Sequence, residues 1–305
     1  MSNPIHDQAI HADRLSKRFG RKRALHDLSL ALPRGGVHAV VGSNGAGKST
    51  LFRVLLGITA PSAGRSFVLG CDSRALTPER RGRVGFVGEE HTLPGWMTVA
   101  RLKAMHRDLY PRWHEPTYAA VIGHFQVLAE QRVAELSRGE RAGLNLALAL
   151  AHSPELLFLD EPTLGLDVVA KQAFLESLLS FAGRRDDCTI VDCSHQMDEI
   201  ERVADRLLIL ERGALRTMSA LDEFCARVSG WTAYGLTAPL DPLVVPGLLT
   251  SRRIDDLTEV VVLDRDDGLE RRLEALGGRD VAKVPLGFDR AVNAYLTRHH
   301  ATPAN

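Results

Sequence analysis

Three short stretches of this chain carry residue types that do chemistry on phosphates. The first, "GSNGAGKST", spans Gly42, Ser43, Asn44, Gly45, Ala46, Gly47, Lys48, Ser49 and Thr50 and fits G-x-x-x-x-G-K-[ST]. Its glycines let backbone N–H groups wrap a β-phosphate with no Cβ in the way. Lys48 would hold the β/γ-phosphates, and the Ser49 hydroxyl would take a place on Mg²⁺. The second, "ELLFLDEP" (Glu155–Pro162), sets Asp160 and Glu161 after four apolar residues and before a proline. Asp160 would bind Mg²⁺ directly or through water, and Glu161 is the natural general base for an attacking water. The third is His195 in "TIVDCSHQMDEIERVADRLLIL" (Thr189–Leu210). It could hydrogen-bond a γ-phosphate and the water, although a lone histidine is more often a polar residue flanking a helix.

The elements that must position these groups follow from pattern. "VHAVV" (Val37–Val41) reads as a buried strand and "KSTLFRVLL" (Lys48–Leu56) as an amphipathic helix, the strand–loop–helix setting that the first motif needs. "LLFL" reads as a strand stopped by Pro162. Thr189–Leu210 reads as strand, turn, helix and strand, with His195 at a strand's C-terminal end, where open α/β sheets bind ligands. "ELSRGERAG" (Glu135–Gly143) precedes the apolar run "LNLALALA" (Leu144–Ala151), so a buried helix starts near Ser137. Ser137 is then an N-cap, and Glu140 closes a capping box. Gly139 in that first turn costs roughly 1 kcal/mol relative to Ala. A serine hydroxyl and bare backbone at a helix N-terminus also receive phosphate.

Together these residues resemble the ABC transporter ATPases, the nucleotide-binding subunits of ATP-driven membrane transporters. The order matches throughout: Walker A at Gly42–Thr50, signature at Leu136–Glu140, Walker B at Leu156–Glu161, D-loop "LGLD" at Leu164–Asp167, then the switch histidine His195. The resemblance covers roughly residues 8 to 225. It implies an α/β P-loop domain over residues 1–228, with an antiparallel β-subdomain and a helical insert at about 91–152. It implies ATP and Mg²⁺ as ligands, Phe19 as the aromatic stacking on adenine, and Ser137 and Gly139 as γ-phosphate contacts, with Asp167 at the nucleotide site. Because the family closes as a head-to-tail dimer, that ATP would sit on the P-loop of the other subunit, a second copy or a paired ATPase. An integral membrane permease is the implied partner, which would place the chain in the cytoplasm against the inner face of the membrane. Two departures stand out. The signature is Leu136-Ser137-Arg138-Gly139-Glu140 where LSGGQ is usual, and Glu89 in "VGFVGEE" replaces the glutamine that reaches metal and water. Glutamate keeps an acceptor oxygen but adds a charge and loses a donor.

The bulk numbers agree. The 305 residues suffice for one large or two modest domains, and 38 Lys+Arg balance 38 Asp+Glu. That balance argues against a nucleic-acid protein, despite the basic run "RLSKRFGRKR" (Arg14–Arg23). Four cysteines lack CxxC or zinc spacing and read as reduced core residues. "MSNPIHDQAI" lacks the apolar region of a signal peptide, and no apolar run is long enough for a membrane span. "PGWMTV" (Pro94–Val99) is either a surface for the permease or ordinary core. After Val228 the motifs stop. "GWTAYGL", "TEVVVLD" and "VAKVPL" read as strands, "GLERRLEALGG" and "FDRAVNAYLTRHH" as helices: a C-terminal α+β region, 229–305, for packing or dimer support. A soluble ABC-type ATPase acting on DNA or ribosomes is the alternative. Thr50 to Leu136 leaves no room for the long coiled coils of DNA-repair relatives, and one cassette is present where translation-associated relatives carry two. A small GTPase lacks support, since no N-K-x-D occurs.

Overall fold

The computed structural model describes residues 8–185, 187–264 and 268–298. Most of the polar N-terminal stretch (Met1–Asp7) and the end of "FDRAVNAYLTRHH" lie outside them. The chain forms two compact units that divide between Met218 and Ser219.

The first unit begins with a long antiparallel hairpin, β1 (Gln8–Phe19) and β2 (Lys22–Pro33). Strand β3 (Val37–Val41) then runs wholly buried into the glycine loop, and α1 (Lys48–Leu55) leaves it. β4 (Ala63–Val68) returns antiparallel to β1 and pairs with the short β5 (Cys71–Asp72), giving the antiparallel sheet β2-β1-β4-β5. A single turn, α2 (Pro78–Arg81), leads to β6 (Val84–Gly88). The helical insert follows as α3 (Val99–Leu109), α4 (Glu115–Gly123) and α5 (Arg138–Ala151). The chain re-enters the sheet as β7 (Leu156–Asp160), continues through α6 (Val168–Ala182), β8 (Thr189–Cys193) and α7 (Met197–Val203), and ends in β9 (Arg206–Glu211) and β10 (Ala214–Ala220).

These strands make a six-stranded sheet, β10-β9-β3-β8-β7-β6, in which β3 pairs parallel with both β8 and β9, and β7 parallel with β6 and β8. Both faces are covered, which is why β3, β7 and β8 are buried almost throughout and mainly apolar, with His38, Thr189 and Asp192 the buried polar exceptions. Alternation then splits each strand between two cores. Leu157, Leu159 and Ile190 pack with α5 and α6; Leu156, Phe158, Val191 and Leu208 pack with α1 and the antiparallel sheet. An edge-on contact between Phe52 and Phe158, 5.0 Å between centroids, ties α1 to β7. The architecture is the α/β arrangement that the resemblance implied, with the antiparallel sheet and the helical insert in place.

The second unit carries α8 (Leu221–Arg227), β11 (Val228–Tyr234), β12 (Leu248–Ile254), β13 (Leu257–Leu263), α9 (Leu269–Ala275), β14 (Arg279–Val284) and α10 (Phe288–Thr297). Its sheet, β12-β13-β11-β14, is antiparallel at every pair, with Trp231, Val260, Val262, Leu269 and Leu273 in its core. The division falls before the 228/229 boundary read from sequence because α8 packs within this unit, its Phe224 meeting Tyr295 edge-on at 5.7 Å.

Candidate functional site

Strand β3 delivers the glycine loop, and packing fixes two of its glycines. A Cβ at Gly42 would lie 2.3 Å from the Leu210 carbonyl, and one at Gly47 would lie 2.5 Å from the Ala24 carbonyl. Gly47 also sits at φ 106°, where it caps α1. The sequence reading gave these glycines to the ligand; Gly42 and Gly47 are needed first by the protein's own backbone. Lys48 is buried, and its Nζ donates to the Gly42 carbonyl at 2.6 Å, which holds the ammonium over the loop.

The contact of Phe52 with Phe158 sets the start of α1 beside the end of β7. Ser49 Oγ accordingly donates to Asp160 Oδ1 at 3.3 Å. The next residue, Glu161, has left-handed backbone, φ 52°, and its N–H donates to the Cys193 carbonyl at 2.7 Å. That turn aims Glu161 away from Asp160 and toward β8. The His195 N–H donates to Glu161 Oε2 at 3.2 Å, and His195 Nε2 lies 3.0 Å from Oε1. The second approach is close but lacks hydrogen-bond alignment, so Oε1 is a buried oxygen without a hydrogen-bond partner among the described residues. Burial pushes the Glu161 carboxyl up to about 7, and Asp160 and Glu89 push the same way, while Lys48 and the His195 N–H oppose them. His195 is pulled below its ordinary value by burial and then by the Lys48 charge, which favours the neutral ring.

Lys48, Ser49, Glu161 and His195 line one cleft of about 490 Å³, together with Asn44, Gly45, Ala46, Gly47, Thr50, Glu89 and Leu164, and with Lys22 and Ala24 from β2. Gly42, Ser43 and Asp160 do not line it, and Asp160 is joined to it through its hydrogen bond with Ser49. Ser49 Oγ with Asp160 oxygen is a hard-oxygen pair suited to Mg²⁺, and Glu161 in the same cleft lining supplies a carboxylate able to accept a proton. Of the lining residues, Ala24 was not singled out from sequence; Leu164 opens the stretch "LGLD", and Lys22 belongs to the basic run Arg14–Arg23, whose charge is the one local signal of a nearby anion. The long β1–β2 hairpin brings in Lys22 and Ala24.

Four more of the expected residues are not in the cleft lining. Phe19 ends β1 and does not line the cleft; its ring is 49% exposed, with Lys17 Nζ 4.9 Å above its centroid. Ser137 caps α5, its Oγ accepting from the Glu140 N–H at 3.2 Å while Glu140 Oε2 accepts from the Ser137 N–H at 2.7 Å. Gly139 is a packing glycine, since a Cβ there would fall 2.7 Å from Ala170 Cβ on α6. Asp167 caps α6 by accepting from the Ala170 N–H at 2.9 Å. Of the "WM" pair, Met97 is buried and Trp96 is 75% exposed. Among the described residues no helix is long and apolar enough to cross a membrane.

Comparison with known proteins agrees with the motifs. A family model described as ABC transporter matches residues 25–164. The chain is 33% identical over 285 residues to "Daunorubicin resistance ATP-binding protein DrrA3" of Streptomyces coeruleorubidus, covering 88% of each. It is 37% identical over 218 residues to "Nod factor export ATP-binding protein I" of Rhizobium johnstonii, covering 70% of this chain and 69% of that one. "Sulfate/thiosulfate import ATP-binding protein CysA" of Yersinia pseudotuberculosis is 34% identical over 227 residues, 70% and 61% of the two chains. Among solved structures, a dimeric post-hydrolysis ATP-binding cassette, MJ0796 bound to ADP and Pi, superposes with a TM-score of 0.61 at 20% identity, over 69% of this chain and 98% of that one.

Proposed function

From the premise that the chain belongs to the ABC transporter family and hydrolyses ATP, we propose that it is the ATPase subunit of an exporter whose membrane permease is a separate chain. The observation that carries this reading is the cleft lined by Lys48, Ser49 and the Glu161–His195 pair, with Asp160 hydrogen-bonded to Ser49 beside it. Export is favoured because the relative aligned over 88% of both chains is a daunorubicin-resistance protein and several others are named for Nod factor export, whereas the sulfate import relatives, like the Nod factor one, align over 70% of this chain.

In this reading the loop N–H groups and Lys48 hold the β- and γ-phosphates. Ser49 and Asp160 would hold Mg²⁺, with Glu89 reaching it from the rim; the metal would neutralise charge on the phosphates. Glu161 takes the proton of the water that attacks the γ-phosphorus as the bond to ADP breaks. His195 backs Glu161 and steadies its orientation. Phe19, paired across the hairpin with Lys22 of the cleft lining, is the aromatic that would stack on adenine. Ser137 and Gly139 reach the γ-phosphate of ATP on a second ATPase chain, and Asp167 lies at the same face.

A search for a polytopic membrane protein encoded beside this gene, followed by its co-expression with this chain, tests the assignment. The two should co-purify, and ATP turnover in vesicles should rise when both are present. Vigorous turnover that ignores every membrane partner would instead support a soluble ATPase.

A further inference from the structure

Arg138 stands where the family signature has a glycine, and it is the first helical residue of α5 after the Ser137 cap. It is exposed, and no hydrogen bond or ion pair engages it among the described residues. Its guanidinium is nevertheless placed. A Cβ built on Gly165 would fall 3.0, 3.2 and 3.3 Å from Arg138 Cζ, Nη1 and Nε. Three nearly equal distances mean that the guanidinium plane lies flat over Gly165, at a residue whose φ of 72° already requires glycine.

The neighbouring residue repeats the contact, since Gly139 seats against Ala170 so closely that a methyl would collide with it. Two consecutive signature residues thus rest on the turn between β7 and α6 and on the first turn of α6. That turn is internally tied. The Leu164 N–H donates to the Glu161 carbonyl at 3.2 Å, and the Leu166 N–H donates to the Thr163 carbonyl at 3.1 Å. At one end it carries the Glu161 carboxyl, and Leu164 lines the cleft. Asp167 then fixes the start of α6.

We infer that Arg138 is a positioning residue: its guanidinium, stacked over Gly165, couples the signature helix to the Glu161–Leu166 turn, so that α5 and the general base move together. The role in hydrolysis rests on the function proposed above; the coupling itself rests only on these contacts. A plane is required, because a flat, weakly hydrated guanidinium can lie face-on where the Gly165 Cβ would stand, and a compact, strongly hydrated ammonium cannot fill that place in the same way. Lysine therefore keeps the charge and loses the coupling.

The test uses the full chain with Arg138→Lys and Arg138→Ala, followed by hydrogen exchange of peptides covering 161–170 and 37–55 in the isolated protein. Both variants should exchange at least about threefold faster in 161–170 and as wild type in 37–55. Turnover should fall about tenfold, with ATP affinity within about twofold. Unchanged exchange in 161–170, or an Arg138→Lys protein that behaves as wild type, would overturn the inference. Faster exchange with unchanged turnover in an active enzyme would overturn its role in hydrolysis. A wild-type chain without ATPase would count against the proposed function alone, because the exchange measurement still decides the coupling.

Discussion

Replacing Glu161 with glutamine should make the protein more stable and nearly inactive at once. Burial against the loop raises this carboxyl from its ordinary 4.5 to about 7. Between those two values the folded chain holds more protons than the unfolded chain, so stability falls as pH rises through the window and levels off above 7. The full difference corresponds to at most about 3 kcal/mol at pH 8. Water reaching the open cleft reduces that to roughly 1–2 kcal/mol. Glutamine is neutral at every pH and escapes this cost. At roughly 2–4 °C per kcal/mol, Glu161→Gln should raise the Tm of the first unit by about 4 °C at pH 8, and by little near pH 4.5. Turnover should fall by about 10²–10⁴-fold, and the wild-type acid limb, rising with pH through about 7, should vanish. Thermal unfolding at pH 5 and pH 8, with pH profiles of hydrolysis, measures all of this. A Glu161→Gln protein less stable than wild type at pH 8 would refute the burial argument, and unchanged turnover would move the base to another residue, Glu89 first.

Lys48→Ala should abolish most ATP binding in a titration, because the loop loses the buried ammonium held at the Gly42 carbonyl; wild-type affinity would make the loop structural. Phe19→Ala should weaken ATP binding by about 1 kcal/mol without altering turnover at saturation, and an unchanged affinity would remove the ring from the site. Gly139→Ala should lower stability by about 1 kcal/mol despite alanine's better helix propensity, since its methyl meets Ala170. Adding Ala170→Gly should restore part of that loss in a double-mutant cycle, whereas a plain gain from Gly139→Ala would show that α5 and α6 are not in tight contact there.

What was legible in the sequence was whatever local pattern enforces. β3 was read at its observed bounds, α5 was placed with its Ser137–Glu140 capping box, and α9, α10 and three of the strands of the second unit were recognised, while α8 was not. β12 was missed because only Leu248 and Leu249 are buried, and the remainder, Thr250–Ile254, shows no alternation. The left-handed backbone of Glu161 was equally hidden, since nothing in "LDEP" announces a positive φ; it depends on the Cys193 carbonyl from a strand distant in sequence. The puzzle of Gly139 was answered by packing: Ala170 approaches from α6, a contact that only the fold creates. Met97 and Trp96 share one motif and part ways because the loop buries one neighbour and exposes the next.

The proposed function requires that each working site combine the P-loop of one chain with the signature of another. Mixing Lys48→Ala chains with Ser137→Arg chains tests it most directly, using two tags to isolate mixed dimers and ATP hydrolysis as the readout. Each variant should be inactive alone. In the mixed dimer one site carries both defects, and the other pairs an intact P-loop with an intact signature, so part of the activity should return. Confirmed mixed dimers with no recovered hydrolysis would contradict the claim and leave Ser137 as a helix cap whose loss costs about 1 kcal/mol.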